Sequence, residues 1–439
     1  MPVYPTPSGY LFSNWSGTEH CAPRNYYLPT SEEEVAQLVR VVEGRGERLR
    51  VVGAGHAFSP LVLTDEHLVS LDGLNKVIAV DVERQRVTVQ AGIRLKELNE
   101  LLPQHGLALA NLGSIADQSV AGATSTGTHG TGIKFGNLST QLVALTLVGG
   151  GGRVRRLTLD SDPELMQAAR LGLGCLGVVA EVTIQCVPAF RLRMQSWPMK
   201  FDAALGELDQ LLAAYDHLRL YWFANTDIIL VTGSNPTDLP ITPRTHLDEY
   251  VEDVILHYDA LDFAIRAGHV FPFLVAPFNQ LSAKVGFRKE ERVDRSDKIL
   301  TIPMPPVHDE CEYAVPVEQA AEAVRQLRQM IRQYDLKADV PVEVRFVAAD
   351  DLMVSPTYQR AGCHVGAYTY GRAFSVPYFD HFEARMKLLG GRPHWGKHLT
   401  MTAEEARRMY PMYERFNAIR KEFDPAGVFA NEFVRRVFP

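Results

Sequence analysis

"NLGSIADQSVAGATSTGTHGTG", residues 111–132, is the stretch on which the fold turns. It is almost uncharged and crowded with Ser, Thr and Gly, so it offers hydroxyls and backbone N–H groups with little side-chain bulk. A segment of that kind can bind a pyrophosphate without a lysine. Gly and Ser also make flexible linkers, but here Ile115, Val120 and Ala121 are interleaved and the stretch lies between patterned elements. It matches neither the G-x-G-x-x-G fingerprint nor G-x-x-x-x-G-K-[ST], so the usual dinucleotide and phosphate-loop folds are not expected.

Upstream, "RVVGAGHAFSP" (50–60) runs a strand-like Leu49–Val52 into Gly53, Ala54, Gly55, His56 and Ala57. The turn contains one side chain able to react. Taken alone, His56 reads first as a turn residue that happens to titrate. Downstream, "PVEVRFVAADD" puts Glu343 and Arg345 on one face of a strand, because side chains alternate with period two. Such a pair is most often a surface ion pair. Facing a polar substrate, the Arg would hold an oxygen on which charge develops, and the Glu would fix the Arg or accept a hydroxyl proton. In "GGRPHWGKHL" (390–399), a Trp-Gly pair separates His394 from Lys397; the plain reading is a turn whose Trp caps the core.

The chain has 439 residues, 46% of them hydrophobic and 22% charged, as expected of a soluble protein of two or three domains. A net charge of -7, with no basic run interleaved with aromatics, argues against a nucleic-acid partner. Five scattered cysteines with no C-x-x-C pair suggest neither a disulfide framework nor a zinc site, and the histidines form no metal-ligand spacing, so no metal is expected. The start, "MPVYPTPSGYLFSNW", lacks the charged and apolar pattern of a signal peptide. "VFPFLVAPF" is too short and too proline-broken to span a bilayer. A cytoplasmic, reducing location without an integral membrane segment is the expectation.

"TSEEEVAQLVRVVEGRG" reads as a helix with Ser31 and Glu34 as a capping box. Short strands follow at "RLRVV", "HLVSL", "KVIAVDV" and "RVTVQAG", then a small helix, "LKELNELL". "LVALTLVGGGGRVRRLTL" reads as a hairpin rather than a phosphate cradle, since no helix start follows its glycines. Near residue 187 the character changes: longer amphipathic helices appear, such as "VEQAAEAVRQLRQMIRQY", with a proline-rich loop, "SNPTDLPITPRT". A last capped helix begins at Thr402 with Glu405.

In this order, the pieces resemble the flavin-dependent sugar-lactone and polyol oxidases of the PCMH-type, vanillyl-alcohol-oxidase fold. "SNWSGTEHCAPRNYYLPTSEEEV" resembles that family's opening, "VGAGHAFSP" its flavin-attachment turn, and "LGSIADQSVAGATSTGTHGTG" its pyrophosphate loop. "GLGCLGVVAEVTI", "EVRF", "RPHWGK" and "FDPAGVFAN" follow in the family's order. The resemblance implies an α+β chain of two domains. An FAD-binding domain would occupy 1–187, and a cap or substrate domain 188–395. The segment 396–439 would return to the FAD domain.

It also implies FAD bonded covalently through His56. Gly53, Ala54, Gly55, Ala57, Ser114, Ser119, Gly122, Thr126, Gly127, Thr128, His129 and Val179 match cofactor contacts, and Glu343, Arg345 and Lys397 match substrate-site residues. Gly113 stands where a small residue leaves a path for oxygen. The implied reaction is hydride transfer from a carbinol carbon to flavin, followed by reoxidation by molecular oxygen to give peroxide. "HLRLYWFANTD" resembles the lactone branch, which favours L-gulono- or D-arabinono-1,4-lactone as substrate; an alditol such as xylitol or sorbitol is the alternative. Polyol-oxidising relatives have a pocket histidine on the strand matching "CHVGAYTYG", and either His364 or Tyr368 fills that place here. A carbohydrate-binding protein that lost the chemistry is a third reading, opposed by the joint presence of His56, Glu343, Arg345 and Lys397.

Overall fold

The computed structural model describes residues 9–244 and 259–439. Thr245, at the end of the proline-rich loop, and Met1 to Ser8 of the amino-terminal stretch lie outside the described residues. The first part of the chain builds two main sheets, with two short two-stranded ribbons beside them. β1 (Asn25–Tyr27), α1 (Glu32–Gly44), β2 (Leu49–Val52) and β3 (His67–Ser70) give a parallel sheet in the order β1-β3-β2. β4 (Val77–Asp81), β5 (Arg86–Gln90), α2 (Leu95–Leu101), α3 (Val120–Thr126), β6 (Leu142–Val148), β7 (Val154–Thr158) and β8 (Val178–Gln185) follow, with an antiparallel sheet in the order β7-β6-β8-β5-β4. The glycine run 149–152 is the turn of the β6–β7 hairpin, as its composition suggests. At α1, Ser31 Oγ accepts from the Glu34 N–H, but the Glu34 carboxylate turns back to the Thr30 N–H, so the box is only half closed.

From residue 191 one antiparallel sheet of eight strands dominates. Its members are β9 (Arg191–Lys200), β10 (His217–Trp222), β11 (Ile228–Thr237), β12 (Glu290–Arg295), β13 (Asp309–Pro316), β14 (Val342–Val347), β15 (Gly362–Thr369) and β16 (Arg392–Pro393), in the order β12-β9-β11-β10-β14-β15-β13-β16. The amphipathic helices expected here are present, but they are cladding. α4 (Ala260–Val270) and α5 (Val275–Gly286) form a pair. α6 (Ala320–Gln333) and α7 (Arg372–Leu388) bury Leu327, Met330, Tyr378 and Phe382 in one core with Leu220, Val344, Val365 and Tyr313 of the sheet. Period-two alternation therefore sends residues 218, 220, 342, 344, 363, 365, 311 and 313 to the helices, and residues 219, 221, 343, 345, 364, 366, 310 and 312 to the opposite face.

The chain ends in α8 (Ala403–Met409), α9 (Tyr413–Phe423) and α10 (Glu432–Val437), with the Thr402–Glu405 capping box closed in both directions. Trp395, Tyr410, Phe416, Phe429 and Phe438 share a core with Tyr27, Val39, Leu98 and Val182, so the end of the chain completes the interior begun at its start. "FDPAGVFAN" makes that junction. Asp424 accepts from the N–H groups of Val428 and Phe429, and Asn431 donates to the carbonyls of Pro60, Leu61 and Leu63. Opposite them, Arg50 of β2 is 2% exposed. It donates to the carbonyls of Leu61 (2.7 Å), Leu173 (3.2 Å), Gly174 (2.9 Å) and Phe429 (2.5 Å). Burial pulls its pKa down to about 10.

Losing Arg50 strands these carbonyls. Arg50→Leu is expected to cost roughly 3 kcal/mol or more, read as a lowered midpoint of thermal unfolding. Arg48→Leu, which removes a surface ion pair with Glu66, is expected to change stability by about 1 kcal/mol or less.

Candidate active site

The charge-bearing face of the large sheet forms one wall of a cavity of about 1530 Å³; the turns of the first part of the chain form the other. A single-ligand pocket measures ~300–1,000 Å³, so this one has room for a large cofactor and a substrate together. Gly53, Ala54, Gly55, His56, Ala57, Ser114, Ser119, Gly122, Thr126, Thr128, His129 and Val179 all reach it. Gly127 does not: it is the left-handed cap of α3, at φ +75°, and shapes the loop from behind.

Local packing explains the His56 turn. Gly53 lies so close to α3 that a Cβ there would stand 2.0 Å from Ser119 Oγ, and Gly55 has φ +70°. Ser119 Oγ is already used as the N-cap of α3 by the Gly122 N–H. The ring of His56 lies 6.0 Å from that of Trp15. Its Nδ1 is buried with no hydrogen-bond partner, and burial lowers the pKa to about 4, so the imidazole is neutral and nucleophilic at ordinary pH. Gln118 Oε1 is a second buried acceptor without a partner on this cavity. A large cavity lined by glycine turns, with unsatisfied polar atoms such as His56 Nδ1 and Gln118 Oε1 among its lining residues, fits the FAD implied by the sequence.

The opposite wall is assembled by strand register. Across β10, β14, β15 and β13, one row reads Tyr221, Glu343, Gly366, Glu312, and its neighbour reads Arg219, Arg345, His364, Ala314. Arg345 Nη2 donates to Glu312 Oε2 at 2.8 Å, and its Nε lies 3.6 Å from Glu343 Oε2. Arg219 Nε lies 3.3 Å from Glu343 Oε1. Lys397 Nζ donates to Glu310 Oε2 and sits 5.1 Å above the Phe58 ring. Trp395 behaves as the plain reading expects: fully buried, it donates to the Val354 carbonyl at 2.7 Å. The same turn still delivers His394 and Lys397 to the cavity.

Of the two residues left open on β15, Tyr368 reaches the cavity and His364 does not. Gly366 makes this possible, because the Tyr368 ring folds back across it; a Cβ at 366 would lie 2.5 Å from Cε2. The Tyr368 hydroxyl then donates to Glu343 Oε2 at 3.1 Å. His364 sits behind, its Nδ1 2.7 Å from Glu312 Oε1. His129 Nε2 meets the same oxygen at 2.5 Å. These three side chains bring ligand atoms within 4.8 Å of one another, but the fixed positive charge of Arg345 on the other oxygen marks a hydrogen-bonded ion cluster rather than a cation cage.

Burial raises carboxyl pKa values, and it wins at Glu310 despite Lys397. At Glu312 it is overcome by Arg345 and His129, and at Glu343 by Arg345 and Arg219, so both are held low. His308, also on the cavity, is lowered to about 4 by burial. Glu310, Glu312, Arg219, Tyr221 and His308 are absent from the expectations drawn from sequence. The signal available was "DECEY", where Glu310 and Glu312 stand at spacing two in a strand whose one other charged residue is Asp309.

Comparison with known proteins follows this geometry. Residues 23–158 match the FAD binding domain family, and residues 182–437 match the family described as D-arabinono-1,4-lactone oxidase. The chain is 38% identical to L-gulonolactone oxidase of Scyliorhinus torazame, over 98% of each chain. It is 36% identical to L-gulono-1,4-lactone dehydrogenase of Mycobacterium tuberculosis, over 97% of this chain and 99% of that one. Among solved structures, cholesterol oxidase from B. sterolicum superposes with a TM-score of 0.83 at 16% identity, with both chains fully covered, and so shares the fold. An FAD-binding first part, a charged sheet face across the cavity and similarity over nearly the whole length lead to one assignment: the chain belongs to the D-arabinono-1,4-lactone oxidase family.

Proposed function

We propose that this protein oxidises a sugar 1,4-lactone, L-gulono- or D-arabinono-1,4-lactone, with FAD as cofactor and molecular oxygen as acceptor. The observation that carries this is Tyr221 and Glu343 beside Arg219 and Arg345 on the large sheet, facing the His56 turn across one cavity. Each cation on the wall is already paired with a carboxylate, so a neutral polyhydroxy ring is matched better than an anionic sugar acid. The relatives named above are lactone enzymes, and nothing favours the alditol reading.

FAD, when bound, supplies the acceptor for the hydride leaving the carbinol carbon and passes the electron pair to oxygen, giving hydrogen peroxide. The cofactor contacts are assigned to Gly53, Ala54, Gly55, His56, Ala57, Ser114, Ser119, Gly122, Thr126, Gly127, Thr128, His129 and Val179, with Gly127 acting through the loop it caps. His56 is the covalent anchor, a role supported by its neutral, unpartnered Nδ1. Glu343, held ionised, accepts a hydrogen bond from the substrate hydroxyl, and Tyr368 orients it. Arg345 and Lys397 stabilise the negative charge that builds on the oxygen as its proton passes to Glu343, before the hydride departs. Gly113 supports the oxidase reading, since a Cβ there would stand 2.8 Å from Thr128 Cγ2.

The division into 1–187, 188–395 and 396–439 is supported by the two main cores, one joining the ends of the chain and the other built on the large sheet. Among the described residues no helix is long and apolar enough to cross a membrane. Five free cysteines, four of them buried, support a cytoplasmic location.

Purified holoenzyme should be yellow and should release hydrogen peroxide with L-gulono- or D-arabinono-1,4-lactone; turnover of xylitol and neither lactone would sink the reading. Arg345→Ala and Glu343→Gln should each lower kcat/KM by ~10²-fold or more with FAD content unchanged. Acid precipitation should leave the yellow colour with wild-type protein and release it from His56→Ala. With its pKa near 4, His56 should attach FAD to apoprotein at a steady rate from pH 8 to about pH 5 and slow only as the imidazole gains its proton below that.

A further inference from the structure

Glu312 touches the reaction through another residue. Its side chain is 1% exposed and does not reach the cavity, whereas Glu310, Glu343 and Arg345 do. Among the oxygens that meet Arg345, only Glu312 Oε2 makes a short bond, at 2.8 Å. Ser114 Oγ and the His129 carbonyl accept from Nη1 at 3.4 Å, and Glu343 Oε2 stands 3.6 Å from Nε. The guanidinium is therefore fixed at its Nη2 end and keeps donor capacity at Nη1 and Nε.

The other oxygen of Glu312 is held just as firmly. His129 Nδ1 meets the Gly130 carbonyl at 2.9 Å, and its Nε2 meets Glu312 Oε1 at 2.5 Å. A carbonyl can only accept, so Nδ1 carries a hydrogen, and with Glu312 ionised Nε2 must donate as well. His364, whose pKa burial drives down to about 3, is neutral and donates through Nδ1 at 2.7 Å. One carboxylate thus takes three N–H donors from the loop at 129, from β14 and from β15, and it cannot rotate without breaking one of them.

We propose that Glu312 is the positioning residue that aims Arg345 at the substrate oxygen. This rests on the role assigned to Arg345 above. Glu312→Gln keeps the shape but places an amide N–H₂ among donors, which turns the guanidinium away. The expected result is a fall in kcat of ~10²-fold with KM changed less than about threefold and FAD content unchanged, the pattern of an interaction made in the transition state. Acting through Arg345, the change should add little in an Arg345→Lys background. Effects that multiply in that double-mutant cycle, or an unaltered kcat in a Glu312→Gln enzyme that holds FAD, would overturn the proposal. If Glu312→Gln fails to hold FAD, Glu312→Asp gives the same test, because it keeps the charge and draws the guanidinium back from the substrate. A crystal structure of the variant provides a readout that needs no turnover: an unmoved Arg345 guanidinium sinks the proposal. Failure of the wild-type enzyme on both lactones sinks only the functional reading.

Discussion

The Glu312–Arg345 ion pair is the constraint around which the substrate side of the molecule is arranged. A carboxylate with its side chain 1% exposed is tolerated only when every acceptor site is met by a donor, and those donors come from places far apart in sequence. A one-residue slip of β14 or β15 would turn Arg345 or His364 into the apolar core that holds Leu220 and Val344. The same cluster ties the loop at His129 to the large sheet, so the two walls of the cavity are held to each other by charge as well as by packing.

Elements with a local signature were legible in the sequence. Glu343 and Arg345 share a face because a strand alternates, and Thr402 with Glu405 closes a capping box because the spacing is sufficient for it. Gly53, Gly55 and His56 form the expected turn, since crowding by Ser119 leaves no room for a side chain at 53. The hidden features are those where distant strands decide the environment. "DECEY" alternates charge with apolar side chains, which reads as a solvent-facing strand; here a cavity stands where solvent would be. Arg219 gained its place from pairing with Arg345 across β10 and β14, which no local pattern reveals. The eight-stranded sheet was masked by the more regular helices that clad it. α3 was masked by the poor helix propensity of its Gly, Ser and Thr residues.

The likeness to cholesterol oxidase shows how little of the chemistry lies in the fold. A TM-score of 0.83 at 16% identity gives the same architecture, and architecture alone does not choose a substrate. In this chain the sheet face carries three carboxylates and two arginines, and Lys397 is brought up to it from the far end of the sequence. Gly366 belongs to the same specialisation, because it lets one tyrosine lie flat and reach Glu343.

The clamp between Arg50 and the carbonyl of Phe429 has a consequence for how the protein is made. A ribosome adds ~5–20 residues per second, so β2 emerges tens of seconds before the strand of chain that will accept its buried charge. Until then the guanidinium lacks one of its four acceptors, and the core that should cover Tyr27 and Val39 lacks Trp395, Phe416 and Phe438. The amino-terminal region is thus the first to be synthesised and cannot be the first to finish folding. The central sheet, whose core closes by Leu389 and whose last strand ends at Pro393, can settle before the residues from Trp395 onward arrive. Arrival of Trp395, Phe416, Phe429 and Phe438 starts the final closure.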